Sequence, residues 1–143
     1  MSEFRPGRPD YLEAVRELHD RMPFARQLGI VLDRIEPGRV TGQVARHLEV
    51  MQQHGALHAG AIIGLADQMA SLAAYTLMAP GQEIVSVNFS VQMLRPADAD
   101  IIRAEGWVIK PGERLIFTGA RVFGEKSGEV KDFANVLITM AVR

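Results

Sequence analysis

Hydrophobic residues recur along the chain first at helical spacing, then at strand spacing, then at helical spacing again, and finally in a series of strands. The first periodic segment, residues 11–22, is predicted to be a helix that Asp10 caps and Pro23 ends or bends. A Pro-Gly pair separates the first two strands, and a second such pair ends the central helix. The predicted segments after the first helix are strands 28–36 and 39–47, a loop at 47–57, a central helix at 59–78, and strands 83–95, 100–110, 114–123 and 130–142.

The strand predicted at residues 83–95 has the clearest alternation of apolar and polar residues, and we expect its apolar side to pack on a helix. The central helix contains many small residues, including Gly60 and Gly64, which make sense if a sheet approaches its backbone closely. The pattern predicts an α+β fold in which a long antiparallel sheet curls around one central helix, with a further helix at the N-terminus. The apolar residues of the alternating strand are Val85, Val87, Phe89, Val91 and Met93, and the polar ones are Ser86, Asn88, Ser90 and Gln92.

The composition narrows the class of protein. The 143 residues are 48% hydrophobic and 23% charged, so we expect a single globular domain over residues 1–143, with residues 1–22 as a helical N-terminal extension. The net charge of −1 argues against a nucleic-acid partner. Cysteine is absent, which excludes a disulfide framework, a cysteine nucleophile and cysteine-based zinc sites. The N-terminus has no apolar signal core, and we expect the protein in the cytoplasm.

One acidic residue interrupts the most apolar part of the sequence. Residues 61–79 contain a single charged side chain, that of Asp67. Burying an isolated carboxylate costs several kcal/mol, and no Lys or Arg in that run can pair with it. Asp67 therefore either carries chemistry or lies at a solvated helix edge or against a buried donor. Residues 52–60, just upstream, add two His and two Gln, and this conjunction favours an enzyme.

Other chemistries have weaker support in the sequence. The apolar run is long enough to raise the question of a membrane span, but its Gly, Asp, Gln and Ser residues argue against one. His54 and His58 have the i, i+4 spacing of metal ligands, but Gly55 and the loop context argue against a metal site. The chain lacks the G-x-S-x-G, G-x-G-x-x-G and Walker motifs. We therefore expect neither a metal nor another cofactor.

The residues around Asp67 resemble a known signature. The stretch HAGAIIGLAD, residues 58–67, is similar to the H-G-G-x-x-x-x-L-x-D motif of PaaI-type acyl-CoA thioesterases, which have the hotdog fold. Residues 85–97 resemble that family's strand ending in a proline turn, and the resemblance spans residues 29–142. Ala59 replaces the first Gly of the motif, and Gln52 stands where many members have Asn. Gln at that position resembles the related 4-hydroxybenzoyl-CoA thioesterases, which pair it with a Glu where Asp67 lies here.

The resemblance implies a role for each residue of the motif. A thioester needs water or a nucleophile, a base, and hydrogen-bond donors for the carbonyl oxygen as charge develops on it. Asp67 is assigned as base or nucleophile, and the sequence does not choose between them. The backbone amide of Ala59 is expected to polarise the carbonyl. His58 is expected to fix the loop by hydrogen bonding rather than to act as the base, and Gln52 to position the water or donate to the carbonyl.

Three further residues are candidates for substrate binding. Gly60 follows Ala59 at the start of the helix. Ser71 lies four residues after Asp67 on the same helix face, where it can bond either the carboxylate or its own helix backbone. Ser86 resembles a position that some PaaI-type members use for the nucleophilic water. Basic residues of the C-terminal half are candidates for contact with coenzyme A phosphates, although most are expected to be solvated charges at strand edges: Arg95, Arg103, Lys110, Arg114, Arg121, Lys126 and Lys131.

The residues and the resemblance together predict a hydrolase, an acyl-CoA thioesterase that cleaves a small or medium acyl thioester, aromatic acyl groups included, to the free acid and CoA. The alternative is a hotdog module that binds acyl-CoA without catalysis, and such a module does not need Asp67 in an apolar pocket. A hydratase of the same fold is not favoured, because its usual Asp-x4-His pair is missing and Leu72 stands at the second position.

The predicted strand at residues 83–95 also predicts self-association. It is long, alternating and free of internal proline, so in a lone chain it would leave an exposed edge that invites pairing. We expect a homodimer, or a dimer of dimers (a homotetramer), in which two-fold pairing of this strand builds each site across the interface. The expected partners are therefore an acyl-CoA substrate and further copies of the chain, without nucleic acid or membrane.

Overall fold

The structure, a computed structural model, describes residues 3–143, so residues 1 and 2 of the predicted N-terminal extension lie outside the described part. The helices are α1 (Tyr11–Asp20), α2 (Pro23–Leu28) and α3 (Ala59–Tyr75), with a short 3-10 turn at Leu48–Val50. The strands are β1 (Ile30–Glu36), β2 (Arg39–Ala45), β3 (Ile84–Met93), β4 (Ile101–Lys110), β5 (Leu115–Lys126) and β6 (Glu129–Val142).

The six strands form one sheet in the order β1-β2-β4-β5-β6-β3, and every neighbouring pair is antiparallel. The sheet curls around α3, and this helix contacts all six strands. α3 also carries most of the buried apolar side chains of the segment that joins β2 to β3 in the sequence. The helix backbone lies almost on the sheet at Gly106 of β4, where an added Cβ would be 2.3 Å from the amide nitrogen of Ala70. The predicted curled sheet, central helix and N-terminal helix are therefore confirmed.

The N-terminal region differs from its prediction. The side chain of Asp10 does not cap α1; its carboxylate pairs instead with Arg8, whose Nε lies 2.6 Å from Oδ1. α1 ends two residues earlier than predicted, and Pro23 begins the separate helix α2, because proline suits the first turn of a helix. Gly29, with a φ of 77°, ends α2, so Leu28 belongs to that helix and not to the first strand.

The central helix is shorter than predicted. α3 ends at Tyr75 rather than at residue 78, and the buried hydroxyl of Thr76 donates to the carbonyl oxygen of Ala73 at 2.6 Å. The same hydroxyl oxygen accepts the amide hydrogen of Gly38 at 2.7 Å, so the helix end is tied to the turn between β1 and β2. None of the helices within residues 3–143 is long and apolar enough to cross a membrane.

β3 contains a bulge that breaks the predicted alternation. Its pairing with β6 shifts register between Ser86 and Asn88, so Val87 is an extra residue in the strand. Ser86 and Phe89 both pair with buried residues of β6, which puts both side chains on the side of the sheet that faces α3. The prediction of one apolar face is therefore wrong for Val85 and Val87, whose exposed fractions are 40% and 56%.

Candidate active site

Asp67 lies at the centre of a small polar cluster on α3. Its side chain is half-buried, and its Oδ1 accepts hydrogen bonds from Ser86 Oγ at 2.6 Å and from Ser71 Oγ at 3.3 Å. Burial raises the pKa of Asp67 above its ordinary value, and the two serine hydroxyls, which stabilise the charged form, partly oppose that rise. An acid with a raised pKa and a solvent-accessible carboxylate is suited to accept a proton during a reaction.

Both serines reach Asp67 for reasons visible in the backbone. Ser71 follows Asp67 by four residues, which places it one helical turn away on the same face of α3. Ser86 comes from the edge strand β3, and it faces α3 because it precedes the bulge at Val87. Within residues 3–143, Asp67 forms no ion pair with a Lys or Arg side chain. Its charge is therefore balanced only by hydrogen bonds, and no ion pair competes with a reacting group.

A second group of candidate residues surrounds the first turn of α3. His58 caps the helix, because its Nδ1 accepts the amide hydrogen of Gly60 at 2.8 Å. This bond fixes the tautomer of the neutral ring, with the proton on Nε2. Ala59 is the first helical residue, and its amide hydrogen has no acceptor among the described residues. The free amide points out of the positive end of the helix dipole, where an oxyanion is stabilised.

Gln52 lies in the loop before this turn. Its side-chain Oε1 accepts the amide hydrogen of His54, and its backbone amide donates to the carbonyl of Ala56 at 2.8 Å. The side-chain nitrogen of Gln52 donates to no atom of residues 3–143 and remains available to a ligand. A groove of about 500 Å³ brings Gln52 together with His58 and Ala59, and further along it is lined by Met93 and Arg95.

The structure brings each group together but separates the two groups from each other. Ala59 and Asp67 are eight residues apart on the same helix, which is about 12 Å along the axis at about 1.5 Å per residue. A single thioester carbonyl cannot touch both the Ala59 amide and the Asp67 carboxylate of the same chain. One chain therefore holds two incomplete halves of the predicted site.

The predicted absence of a metal site stays a prediction, but the geometry of the two histidines bears on it. His58 uses Nδ1 to cap α3, and the Nε2 atom of His54 lies 3.4 Å from the side-chain nitrogen of Gln53. The described residues contain no group of three or more His, Asp or Glu side chains placed to hold a metal ion.

One residue that packs on α3 about one turn before Asp67 was not predicted from the sequence. Phe24 of α2 lies with its ring against Gly64 of α3, about one turn before Asp67, although Phe24 stands 40 positions before Gly64 in the chain. The only signal in the sequence was the glycine itself, which is a poor helix former in the middle of a helix. A glycine at such a position indicates that something packs against the bare backbone, but it does not say what.

Comparison with known proteins agrees with the class that the fold and the site define, a thioesterase. The family model of the thioesterase superfamily matches residues 54–131, so the chain belongs to that superfamily. The proofreading thioesterase EntH of Klebsiella pneumoniae is 30% identical over 78 residues, which are 54% of this chain and 57% of that protein. The 1,4-dihydroxy-2-naphthoyl-CoA thioesterase 2 of Arabidopsis thaliana is 27% identical over 106 residues, which are 73% of this chain and 67% of that protein.

Solved structures agree with the family. A thioesterase family protein from Silicibacter pomeroyi superposes with a TM-score of 0.89 at 31% identity, over 92% of this chain and 97% of that one. The PaaI protein of the E. coli phenylacetic acid degradation operon superposes with a TM-score of 0.82 at 17% identity, over 92% of each chain, and shows the fold alone. The predicted hotdog fold and thioesterase family are thus confirmed, and with them the class of thioester hydrolase. The likeness of Gln52 to the 4-hydroxybenzoyl-CoA enzymes and the roles of the site residues stay predictions.

Proposed function

We propose that the protein hydrolyses small or medium acyl-CoA thioesters, aromatic acyl groups included, to the free acid and CoA. The observation that carries this proposal is Asp67, a half-buried acid in an apolar helix, held by two hydroxyls and paired with no cation among the described residues. A protein that only binds an apolar acyl chain has no use for such an acid, because its raised pKa reflects an energetic cost of burial.

The two carboxylate oxygens of Asp67 have different roles, because the serine hydroxyls hold one of them and the other can react. Ser86 and Ser71 both hold Oδ1, while Oδ2 accepts no hydrogen bond from residues 3–143. As a base, Oδ2 takes a proton from water while the water oxygen bonds to the carbonyl carbon; the C–S bond then breaks and the CoA thiolate takes up the proton. As a nucleophile, Oδ2 itself bonds to that carbon and the C–S bond breaks, so that CoA leaves as a thiolate. Water then cleaves the mixed anhydride to the free acid and the Asp67 carboxylate, and the other proton of the water goes to the thiolate. Both routes need the carboxylate in its charged form.

The first turn of α3 supplies the other half of the chemistry. The free amide of Ala59 donates to the carbonyl oxygen as it becomes negative, and the helix dipole adds to that stabilisation. His58 holds the turn through its bond to the amide of Gly60, which is a positioning role. The side-chain nitrogen of Gln52 is the second donor for the carbonyl or for the water.

The two halves combine when two copies of the chain associate. β3 is the last strand of the sheet, so within the described residues one of its edges has no neighbouring strand. Two-fold pairing of β3 with its copy satisfies that edge and brings the two α3 helices side by side. The Ala59 amide of one copy then faces Asp67 of the other, which resolves the separation of about 12 Å within one chain.

Arg95 supports coenzyme A as the carrier of the acyl group. Among the residues that line the groove at the first turn of α3, it is the only Lys or Arg. It donates to the backbone carbonyl of Asp132 at 2.7 Å, while the carboxylate of Asp132 is occupied by Arg121 at 2.5 Å. Arg95 is therefore held in place without being neutralised, as a phosphate site requires.

The primary test is a panel of acyl-CoA thioesters with detection of the free thiol. Turnover of small or medium acyl groups is expected, and Arg95→Gln should raise KM for acyl-CoA while leaving the matching N-acetylcysteamine thioester unchanged. Arg103→Gln is the control, because Arg103 is an exposed residue of β4 that does not line this groove. If the wild-type protein binds acyl-CoA tightly but releases no thiol from any member, the non-catalytic binding module is the correct reading.

Subunit mixing tests the shared site. Asp67→Asn and Ala59→Pro each remove one half of the chemistry, so each homodimer is expected to be inactive. A mixed dimer has one site in which both halves are intact, so equal mixing with subunit exchange should restore about a quarter of wild-type activity. Mixing that restores nothing, with exchange verified by mass spectrometry of tagged subunits, contradicts a site built across the interface.

A further inference from the structure

Phe24 is an aromatic residue at the surface of the protein. It lies in the first turn of α2, and 59% of its surface is exposed. Its ring contacts α3 at Gly64, where an added Cβ would lie 2.8 Å from Cε1 and 3.0 Å from Cζ. One side of the ring therefore rests on helix backbone that glycine leaves uncovered, and the remaining surface of the ring is open.

The position of Gly64 places the contact with this ring about one helical turn before the acid. Gly64 precedes Asp67 by three residues, so the two positions are neighbours on the helix surface. Ser71 lies on the other side of Asp67 along the helix axis. Asp67 is thus held by the hydroxyls of Ser71 and Ser86, while the exposed phenyl ring rests on α3 about one turn closer to its N-terminus.

We propose that Phe24 is the wall of the acyl site and makes the protein select apolar acyl groups, medium-chain or aryl, over acetyl. This inference rests on the proposed function. There, Asp67 or the water that it activates attacks the thioester carbonyl carbon, and the rest of the acyl group extends from that carbon. An acyl chain of several carbons that extends toward Ser71 and Ser86 would cover polar hydroxyl groups, which favour contact with water over contact with an apolar chain. It can extend over the phenyl ring, where it removes apolar surface from water, and an aryl group gains edge or stacking contacts as well.

The contact between Phe24 and Gly64 can be changed by a substitution at either residue. Phe24→Ala removes the ring, and Gly64→Ala adds a methyl group that the ring cannot tolerate at its present position. Because alanine is a better helix former than glycine, Gly64→Ala is not expected to weaken α3. Leu137→Ala is the matched control, since Leu137 is 57% exposed but lies on the face of the sheet that points away from α3.

The measurement is kcat/KM for acetyl-CoA, hexanoyl-CoA and benzoyl-CoA with each variant. Phe24→Ala and Gly64→Ala should lower the hexanoyl-to-acetyl ratio about tenfold, the scale on which an apolar pocket discriminates acyl groups. Phe24→Leu keeps apolar surface but loses the aromatic contacts, so it should lower the benzoyl-to-acetyl ratio about fivefold and the hexanoyl ratio by less than about twofold. Leu137→Ala should leave all three ratios unchanged.

Three results would overturn the inference. The first is an unchanged hexanoyl-to-acetyl ratio in a folded, active Phe24→Ala protein. The second is an equal loss for all substrates together with dissociation into monomers by light scattering, which would make Phe24 a subunit contact. The third is a Gly64→Ala protein with wild-type selectivity. If Phe24→Ala does not fold, Phe24→Leu and Gly64→Ala still decide the question.

A binding experiment separates this inference from the proposed function. S-ethyl-CoA and S-hexyl-CoA are thioethers that no thioesterase can cleave. The comparison of their Kd values therefore measures how the longer alkyl chain binds, without any contribution from hydrolysis. If the wild-type protein hydrolyses no acyl-CoA but Phe24→Ala weakens S-hexyl-CoA about tenfold and leaves S-ethyl-CoA unchanged, the proposed hydrolysis fails and the acyl wall stands. If hydrolysis is present and both Kd values are unchanged in the variant, the acyl wall fails and the proposed function stands.

Discussion

The two halves of the candidate site use different parts of the chain for their chemistry. At the first turn of α3 the donor is the backbone amide of Ala59, and eight residues later the acid is the side chain of Asp67. A backbone donor is indifferent to the side chain it belongs to, so Ala in place of Gly leaves it intact. A side-chain acid depends on its residue type and on the hydroxyls that hold it. Activity should therefore survive a change of side chain at Ala59 but not the loss of its amide hydrogen. At Asp67, activity should be lost when the side chain changes.

The largest effect is expected at the side-chain half. Asp67→Asn keeps the shape of the residue but removes its basicity and nucleophilicity, and kcat should fall at least about 10²-fold. Circular dichroism and melting temperature should show that the fold survives. Asp33→Asn, at an exposed carboxylate of β1, is the control and should retain full turnover. Wild-type turnover by pure Asp67→Asn protein would end the assignment of Asp67.

The backbone half is best broken with proline. Ala59 is the first residue of α3, a position where proline is tolerated, and His58 before it already has the extended backbone that proline requires, with φ −62° and ψ 142°. Ala59→Pro should therefore fold but lose the amide hydrogen, with a fall in kcat of about 10²-fold, as for the loss of an oxyanion donor. Ala59→Gly keeps the hydrogen and should stay within about threefold of the wild type. Equal kcat values for the two variants would show that the amide plays no part.

The hydroxyls around Asp67 should appear in the pH profile. The carboxylate must be charged to react, so kcat/KM is expected to fall as the pH drops through the pKa of Asp67, which burial has already raised. Ser86→Ala removes the bond that stabilises the charged form, so the pKa should rise further and the acid limb should move to higher pH. Ser71→Ala removes the longer bond and should move the limb less in the same direction. A profile that does not move in Ser86→Ala would separate the acid limb from Asp67.

Gln52 tests whether the loop contributes to the reaction or only to its shape. If its side-chain nitrogen contacts the reacting group, Gln52→Ala should lower kcat about tenfold and raise KM by less. Gln43→Ala, a similar change on β2, is the control and should leave both constants unchanged. A rise in KM with an unchanged kcat would assign Gln52 to binding alone.

The smallest effect is expected at His58. Asparagine is also a good cap, so His58→Asn should keep the first turn of α3 and lose less than about tenfold in kcat. His58→Ala removes the cap, so its free energy of unfolding should be lower by about 1 kcal/mol. This variant should also lose more activity than His58→Asn. If His58→Asn is as inactive as Asp67→Asn, the order is wrong and His58 is the base.

Local patterns in the sequence predicted the elements and their order, but not the contacts between distant elements. The alternation at residues 83–95 correctly indicated a strand, yet the bulge at Val87 depends on how that strand pairs with β6, which the strand's own residues do not specify. The cap assigned to Asp10 failed because Arg8, two residues away, competes for the same carboxylate. Asp67 was found because a lone charge in an apolar helix has few explanations. Phe24 was missed because it contacts Gly64 from a position 40 places earlier in the chain.

The bulge in β3 has a consequence for how this strand can change in length over evolution. In a regular strand, the loss of one residue turns every later side chain to the opposite face. The bulge at Val87 is an exception to this alternation. Ser86 and Phe89 both face α3 although two residues, and not one, lie between them. A deletion of Val87 would leave both side chains on their present side and remove only the local kink. This position is the place in β3 where a codon can be lost without turning the strand over, and natural variants of the strand that differ in length are expected to differ there.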